Sequence, residues 1–246
     1  MKSTTSEYLK VTDKHLDLFR NITKKYKSRT YVEKKDRWKK LSNDQLWDKL
    51  VVQVMVIGSS DGYDRYEERP DLQKIIKFTN LLKLNDESVI AKKINFVLRE
   101  AGIRYASKSL NKCNKTQALV HNFKILKKTK NNLAGILERI SVFDGANADL
   151  RKVKYLMKIF EYIKSKSARD FLMGMGICTN TIAIDIRIQN IFKRAGLKIP
   201  TTALNNQSIY DTVEKEIIKK ICKPLGIEPV KFDRILYQNY DSILEE

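Results

Sequence analysis

The sequence predicts an all-α fold. Apolar residues recur at helical spacing along nearly the whole chain of 246 residues, and no convincing run of alternating apolar and polar residues indicates a strand. Nine glycines and four prolines leave few places where helices can break. With 42% hydrophobic and 31% charged residues, the composition is that of a globular protein, large enough for one domain or two lobes around a shared core.

The first elements carry clear boundary signals. Residues 7 to 27 are predicted to form a basic amphipathic helix, and the charged residues 28 to 40 a linker. Ser42-Asn43-Asp44-Gln45 has the pattern of a capping box, and it opens a helix that runs to Ile57 and is apolar almost all round. Such a helix is expected to be buried. Further helices are predicted at 70–84, 87–101, 106–143 (two or more), 149–160, 166–175, 185–195, 207–223 and 229–243.

The balance of charge indicates a polyanionic partner. There are 48 Lys and Arg residues against 29 Asp and Glu, a formal net charge of +19. From Ile103 to Lys130 there are eight basic residues and no acid, and the first 40 residues carry thirteen bases and five acids. Nucleic acid is the favoured partner, because each neutralised phosphate releases counterions. A solvated lysine-rich surface, an anionic membrane and an acidic protein are the alternatives.

Other classes of protein find little support. No run of 18 apolar residues predicts a membrane span, and the first residues lack the apolar core of a signal peptide. We therefore expect an intracellular protein, either cytoplasmic and associated with the nucleoid or nuclear. The three cysteines are far apart and are expected to be reduced and buried. No set of metal ligands is apparent, so we expect no metal site.

Two residues, Lys166 and Asp185, stand at predicted helix starts that are suited to chemistry. Lys166 opens the helix that follows a turn at 161–165, where the positive end of the helix favours the neutral form of an amine. Nineteen residues later, Asp185 opens the next helix, after the apolar residues Ile182 to Ile184. A neutral amine beside a carboxylate is what imine chemistry on a sugar requires. From these residues alone, a DNA-binding hairpin in which Asp185 is only a cap remains open.

The same segment resembles a known family. Lys166-Ser-Ala-Arg-Asp-Phe-Leu-Met-Gly-Met-Gly176 and Ala183-Ile-Asp-Ile-Arg187 are similar to the Lys-x-Ala-x-x-Phe-Leu-x-x-x-Gly and Ala-Ile-x-Asp-Arg-His signatures of archaeal-type 8-oxoguanine DNA glycosylases, of the helix-hairpin-helix–GPD superfamily. The resemblance covers roughly residues 41–246. It implies a two-lobed helix-hairpin-helix glycosylase fold with the active site in the interlobe cleft.

The resemblance also implies a mechanism. Lys166 would attack C1′ of a flipped nucleotide and expel the base, and β-elimination from the resulting imine would cut the strand. Asp185 would assist Lys166 and stabilise positive charge on the sugar. The implied function is removal of 8-oxoguanine from duplex DNA, with AP lyase activity. A glycosylase for another damaged or mismatched base and a non-catalytic DNA-binding protein are the alternatives.

The DNA-binding residues follow from the hairpin, predicted at about 149–176. Superfamily members have Gly-x-Gly-x before the lysine, where this sequence has Tyr162, Ile163, Lys164 and Ser165. The last three of these are predicted to contact phosphate. The remaining predicted DNA contacts are Arg187 and, in the gap left by the flipped nucleotide, Ser59 and Ser60. The resemblance implies no cofactor, although a monovalent cation at the hairpin carbonyls stays open.

The base pocket is predicted from two segments. Asp170 lies one helical turn after Lys166 and can accept a hydrogen bond from the edge of a base. Phe232-Asp-Arg-Ile-Leu-Tyr237 is similar to a family segment that supplies a stacking aromatic, so Phe232 and Tyr237 are candidate pocket residues. The archaeal enzymes end in a lysine that helps to read the lesion, whereas this sequence ends Leu244-Glu245-Glu246.

The predicted organisation is an N-terminal basic extension, residues 1–40, followed by a glycosylase domain, residues 41–246. The extension lies outside the resemblance and is expected to add nonspecific phosphate contacts, together with Trp38. The expected partner is double-stranded DNA with a damaged base, and no membrane. Because one DNA site per chain suffices, we expect a monomer.

Overall fold

The computed structural model of the chain describes residues 7–129 and 132–245. All the regular elements in these residues are helical, which confirms the predicted all-α fold. The α-helices are α1 (Asp13–Tyr26), α2 (Asn43–Met55), α3 (Asp61–Glu67), α4 (Pro70–Ile75), α5 (Phe78–Leu82), α6 (Glu87–Glu100), α7 (Asn114–Lys128), α8 (Asn132–Ser141), α9 (Ala148–Ile159), α10 (Ser165–Gly174), α11 (Ile186–Arg194), α12 (Gln207–Ile217), α13 (Pro229–Gln238) and α14 (Tyr240–Leu244). Short 3-10 turns lie at Lys27–Arg29, Arg37–Lys40, Leu110–Lys112 and Thr201–Leu204, and a π-helical turn, Ile218–Cys222, continues α12. No helix among the described residues is both long and apolar enough to cross a membrane.

The contacts divide the chain into two compact units, in agreement with the two lobes that the sequence predicts. Unit 1 contains the described residues up to Lys35 and those from Leu172 onward, and unit 2 contains Asp36–Phe171. The division falls inside α10, so Lys166 belongs to unit 2 and Asp185 to unit 1. The contacts thus divide the chain at places other than the boundary predicted after residue 40.

Helix α1 is part of the core of unit 1. Its apolar face buries Phe19, Ile22 and Tyr26 among the C-terminal helices. The ring of Phe19 lies 5.0 Å from that of Phe192 and 5.5 Å from that of Phe232, the second pair edge-to-face. Burial of this face contributes to folding through apolar area removed from water. The described part of the predicted N-terminal extension is therefore integral to the packing of this unit.

The beginning of α1 differs from the prediction. The helix starts at Asp13, although the sequence predicts a start at residue 7. The backbone N–H groups of Tyr8 and Leu9 donate to the carboxylate of Glu216, at 3.0 and 2.7 Å. Because this acceptor comes from α12, about two hundred residues away, the local sequence carries no sign of it.

Helix α2 forms the centre of unit 2. The predicted capping box is present: Ser42 N donates to Gln45 Oε1 at 2.8 Å, and Gln45 N donates to Ser42 Oγ at 3.3 Å. The helix is buried on nearly all sides, as predicted. The indole of Trp47 lies 6.1 Å from the ring of Phe78 and 5.9 Å from that of Phe123, so aromatic packing fixes α2 against α5 and α7.

The single helix predicted at 70–84 is two short helices, α4 and α5. The indole N–H of Trp47 donates to the backbone carbonyl of Ile76 at 2.9 Å, at the break. The carboxylate of Asp44 then accepts from both the N–H and the hydroxyl of Thr79, at 2.8 and 2.9 Å, in the first turn of α5. Hydrogen bonds from α2 thus override the local helical pattern.

The predicted linker, residues 28–40, contains an ordered turn. Arg37–Lys40 packs against α8, and the side chain of Trp38 is buried in unit 2. Trp38 is therefore a packing residue rather than an exposed DNA contact. The three cysteines, Cys113, Cys178 and Cys222, all lie among the described residues, are buried as predicted, and form no disulfide.

Candidate active site

The predicted hairpin corresponds to α9 and α10, joined by a turn at residues 160–164. Tyr162 has φ = +62°, a left-handed conformation at a position where superfamily members have glycine. On the far side of the turn, the N–H of Lys164 donates to Ser167 Oγ at 2.9 Å, and the N–H of Ala168 donates to Lys164 O at 2.8 Å. The turn thus has the left-handed backbone of a glycine turn without containing glycine.

The predicted phosphate contacts in this turn differ in exposure. Lys164 is exposed, while the side chains of Ile163 and Ser165 are buried. The backbone N–H groups in the first turn of α10 have no carbonyl of their own helix to bind, as at any helix start. Any contact of Ile163 or Ser165 with DNA therefore has to come from the backbone.

Lys166 lies in the first turn of α10, as predicted. Its Nζ is 3.3 Å from Oδ2 of Asp170, and the two side chains are 29% and 21% exposed. The ion pair confirms that the two residues share one face of the helix. The amine is thus partly accessible and held in a defined direction by a neighbour on its own helix.

Gln53 completes a polar cluster in unit 2 that the sequence did not reveal. Its Nε2 donates to the same Oδ2 atom of Asp170, at 3.2 Å. Its Oε1 is buried and has no hydrogen-bond partner. Unsatisfied buried acceptors are rare and call for a physical explanation. The one signal in the sequence is a glutamine inside an otherwise apolar, buried helix, α2.

Asp185 caps α11, as predicted. Its carboxylate accepts from the N–H groups of Arg187 and Ile188, at 3.0 and 3.1 Å. An aspartate at this position satisfies two of the otherwise unpaired N–H groups of the helix and complements its positive end. Asp185 is partly exposed at the N-terminal end of α11.

The chain before Asp185 is held by two buried acids of unit 1. Glu214 accepts from the N–H of Ile182 at 2.9 Å, and Asp233 accepts from the N–H of Ala183 at 2.7 Å. Tyr210 donates its hydroxyl to the carbonyl of Ile182 at 3.1 Å. Because this segment has no regular structure, these side chains satisfy its buried backbone groups. They therefore fix the place from which Asp185 begins α11.

Arg187, a predicted DNA contact, stacks on aromatic rings of unit 1. Its guanidinium carbon lies 4.9 Å from the ring centroid of Tyr237 and 5.8 Å from that of Tyr240. Tyr237 is partly exposed, which leaves it accessible as the predicted stacking residue. Arg187, two residues after the cap at Asp185, thus lies next to Tyr237 of α13.

The loop after α2, with the predicted gap-filling residues Ser59 and Ser60, is held by residues of the basic segment. Gly58 has φ = +88°, and Arg104 donates to its carbonyl at 2.8 Å. A Cβ on Gly58 would lie 2.7 Å from the ring of Tyr105 and would displace it, and the positive φ of Gly58 also favours glycine. Tyr105 is 63% exposed and has φ = +67°. Tyr105 is not among the residues that the sequence predicts to contact DNA.

Lys115, one of the eight basic residues of the segment, does not face solvent. It is 1% exposed, and its Nζ donates to the carbonyls of Met55 and Ile57 at 2.8 and 2.7 Å. Burial lowers the pKa of Lys115 to about 8. Lys115 therefore caps the C-terminal end of α2 and supports the loop that follows, rather than binding phosphate.

Two solved structures resemble the chain along most of its length. The 8-oxoguanine DNA glycosylase of Thermotoga maritima matches with a TM-score of 0.60 and 23% identity, over 91% of this chain and 93% of that one. The 8-oxoguanine DNA glycosylase of Methanocaldococcus jannaschii matches with a TM-score of 0.62 and 15% identity, over 90% and 91%. No family model matches the sequence. A search of curated protein sequences also gives no match.

The chain has the 8-oxoguanine DNA glycosylase fold. This confirms the fold that the motif at Lys166 and Asp185 predicts. At 15% and 23% identity, the likeness concerns the fold and assigns no role to an individual residue.

Within this glycosylase fold, the position of Phe232 differs from its predicted place in the base pocket. Its side chain is completely buried in the core of unit 1, edge-to-face with Phe19. The pattern Phe232–Tyr237 places its two aromatics five residues apart on α13, and one belongs to the core. Phe232 is therefore a packing residue, because a fully buried ring offers no face to a base.

Replacing Phe232 with Ala tests this correction. We expect a loss of about 3–5 kcal/mol in the free energy of unfolding, because the substitution leaves a cavity between α1 and α13. Denaturant unfolding measures the change, and the same substitution at the exposed Phe96, Phe96→Ala, is the control. A Phe232→Ala protein with unchanged stability would contradict the core role.

Proposed function

We propose that the chain is a DNA glycosylase with AP lyase activity that removes 8-oxoguanine from duplex DNA. The observation that carries this proposal is the Lys166 amine, partly exposed in the first turn of α10 and directed by Asp170, in a chain with an 8-oxoguanine glycosylase fold. An amine at such a helix start, next to a turn suited to phosphate, is placed for attack on a sugar. The net charge of +19 supports a DNA substrate.

In the proposed reaction, the Lys166 side chain first loses the extra proton of its ion pair with Asp170, and the neutral amine forms a bond to C1′ of the deoxyribose. The bond between C1′ and the base breaks, and the base leaves with the bonding electrons and takes up a proton. The sugar ring then opens to an imine between Lys166 and C1′. Loss of a proton from C2′ and departure of the 3′ phosphate cut the strand, and water releases the lysine. Asp185 would stabilise positive charge on the sugar and take up protons, at the start of α11.

Binding of the damaged base is proposed for Asp170 and Tyr237. The Asp170 carboxylate accepts from Gln53 and Lys166, and a carboxylate is the kind of acceptor that an N–H at the edge of a base requires. Tyr237 would stack on the base, and Ser59, Ser60, Lys164 and Arg187 would contact the DNA strand.

The proposal is tested with duplexes that differ only in one nucleotide. The wild-type protein is incubated with 8-oxoguanine opposite cytosine, another oxidised base, an abasic site, and undamaged DNA. We expect strand cleavage and a borohydride-trapped adduct for the first and third duplexes and none for undamaged DNA. Cleavage of the other lesion but not of 8-oxoguanine would support a glycosylase for a different base. Binding without cleavage of any duplex would support a non-catalytic DNA-binding protein.

A further inference from the structure

The hairpin turn is anchored by one fully buried side chain on another helix. Asn122, in α7, is 0% exposed. Its Nδ2 donates to the carbonyl of Glu161 at 3.0 Å, and its Oδ1 accepts from the N–H of the same residue at 2.8 Å. One side chain thus satisfies both backbone groups of Glu161 and fixes the orientation of this residue on either side of its Cα.

The residue fixed in this way directly precedes the strained position of the turn. Tyr162 has φ = +62°, which costs a side-chain-bearing residue on the order of 1 kcal/mol or more. Such a conformation persists only where the surroundings determine it. Asn122 holds Glu161, the residue before Tyr162. Ser167 accepts from the N–H of Lys164, two residues after Tyr162. The turn is therefore held from both sides.

We propose that Asn122 is a positioning residue for the Lys166 amine, acting through the backbone of Glu161 and Tyr162. With no glycine in the turn, the left-handed backbone depends on this anchor. Without it, Tyr162 relaxes toward negative φ, and the start of α10, with the Lys166 amine and the N–H groups near it, shifts relative to bound DNA. This inference rests on the proposed function, because it assigns Asn122 a role in the same reaction.

The alternative is that Asn122 only stabilises the fold by satisfying two buried backbone groups. The two roles differ in what a folded variant does. A stabilising residue lowers the melting temperature and leaves the rate of the folded protein unchanged. A positioning residue also lowers the rate of cleavage at saturating DNA, because a displacement of about 1 Å can cost roughly 100-fold in rate.

The test uses Asn122→Leu, which has a similar shape and lacks both hydrogen bonds. We expect single-turnover cleavage of the abasic-site duplex to slow by about 100-fold, at a temperature where circular dichroism shows a folded protein. Gln73→Met is the matched control, because Gln73 Nε2 donates to the carbonyls of Tyr66 and Glu67, also in unit 2. It should lower stability and leave the rate unchanged.

The double variant Asn122→Leu/Tyr162→Gly gives the second readout. Glycine takes a positive φ without strain, so the double variant should refold the turn and recover at least a tenth of the wild-type rate. A wild-type rate in folded Asn122→Leu, or no recovery in the double variant, overturns the proposal. If the wild-type protein cleaves no duplex, the proposed function fails. In that case, the affinity for duplex DNA decides whether Asn122 positions the hairpin. We expect this affinity to fall about tenfold in Asn122→Leu and to recover in the double variant.

Discussion

Lys166→Gln is expected to abolish borohydride trapping and to slow the chemical step of strand cleavage by at least about 1000-fold. An amide nitrogen cannot form an imine with C1′, so the covalent pathway is lost. Glutamine keeps a high helix propensity and can still donate a hydrogen bond to Asp170 from the first turn of α10. The folded structure and most of the DNA affinity should therefore remain. Single-turnover cleavage, trapping and DNA binding are measured on the same 8-oxoguanine duplex.

The control for this variant is Lys158→Gln. Lys158 is exposed near the end of α9, so the same loss of one positive charge occurs away from the start of α10. It should leave trapping intact. If Lys166→Gln is trapped as efficiently as the wild-type protein, another amine is the nucleophile. If neither protein is trapped but both cut the strand, the reaction does not pass through an imine.

The parts of the structure that the sequence predicts correctly depend on local patterns. The capping box at Ser42, the buried α2 and the cap at Asp185 each involve residues within a few positions of one another. Helical periodicity and capping are read within one or two turns, so a single sequence contains the necessary information. The pairing of Lys166 with Asp170 follows in the same way from their spacing along α10.

The parts that the sequence does not predict depend on partners far along the chain. Glu216 keeps residues 7–12 out of helix α1, and Trp47 and Asp44 divide the helix predicted at 70–84. Lys115 looks like a phosphate contact in a basic segment, yet it binds two carbonyls of α2 and its loop. No local pattern distinguishes these residues from exposed polar ones, because their partners are brought close only by folding.

The hairpin turn shows the same limit at the candidate active site. Tyr162, Ile163, Lys164 and Ser165 contain none of the glycines that favour a left-handed turn. The structure nevertheless has φ = +62° at Tyr162, beside the residue that Asn122 holds. A buried amide on α7 thus compensates for a missing local signal, and a motif search based on glycine would overlook this hairpin.

Asp185→Asn is expected to lower the rate of base release by about 100-fold or more while leaving stability nearly unchanged. Asparagine caps a helix as well as aspartate does, so its Oδ1 can still accept from Arg187 and Ile188. It carries no charge, however, and cannot stabilise a cationic sugar or take up a proton. Single-turnover base release and thermal unfolding, measured on one preparation, separate the chemical role of Asp185 from its capping role.

Two further variants sharpen this test. Asp86→Asn is the matched control, because Asp86 caps α6 by accepting from the N–H of Ser88 at 2.7 Å. It should change neither rate nor stability, since the same substitution there touches only a cap. Asp185→Ala should lose both the charge and the cap, and with them about 1 kcal/mol of stability. If Asp185→Asn cleaves at the wild-type rate while Asp185→Ala is merely less stable, Asp185 is a cap without a chemical role. The electrostatic support for the reaction must then come from another carboxylate, and Asp170, paired with Lys166, is the first to replace.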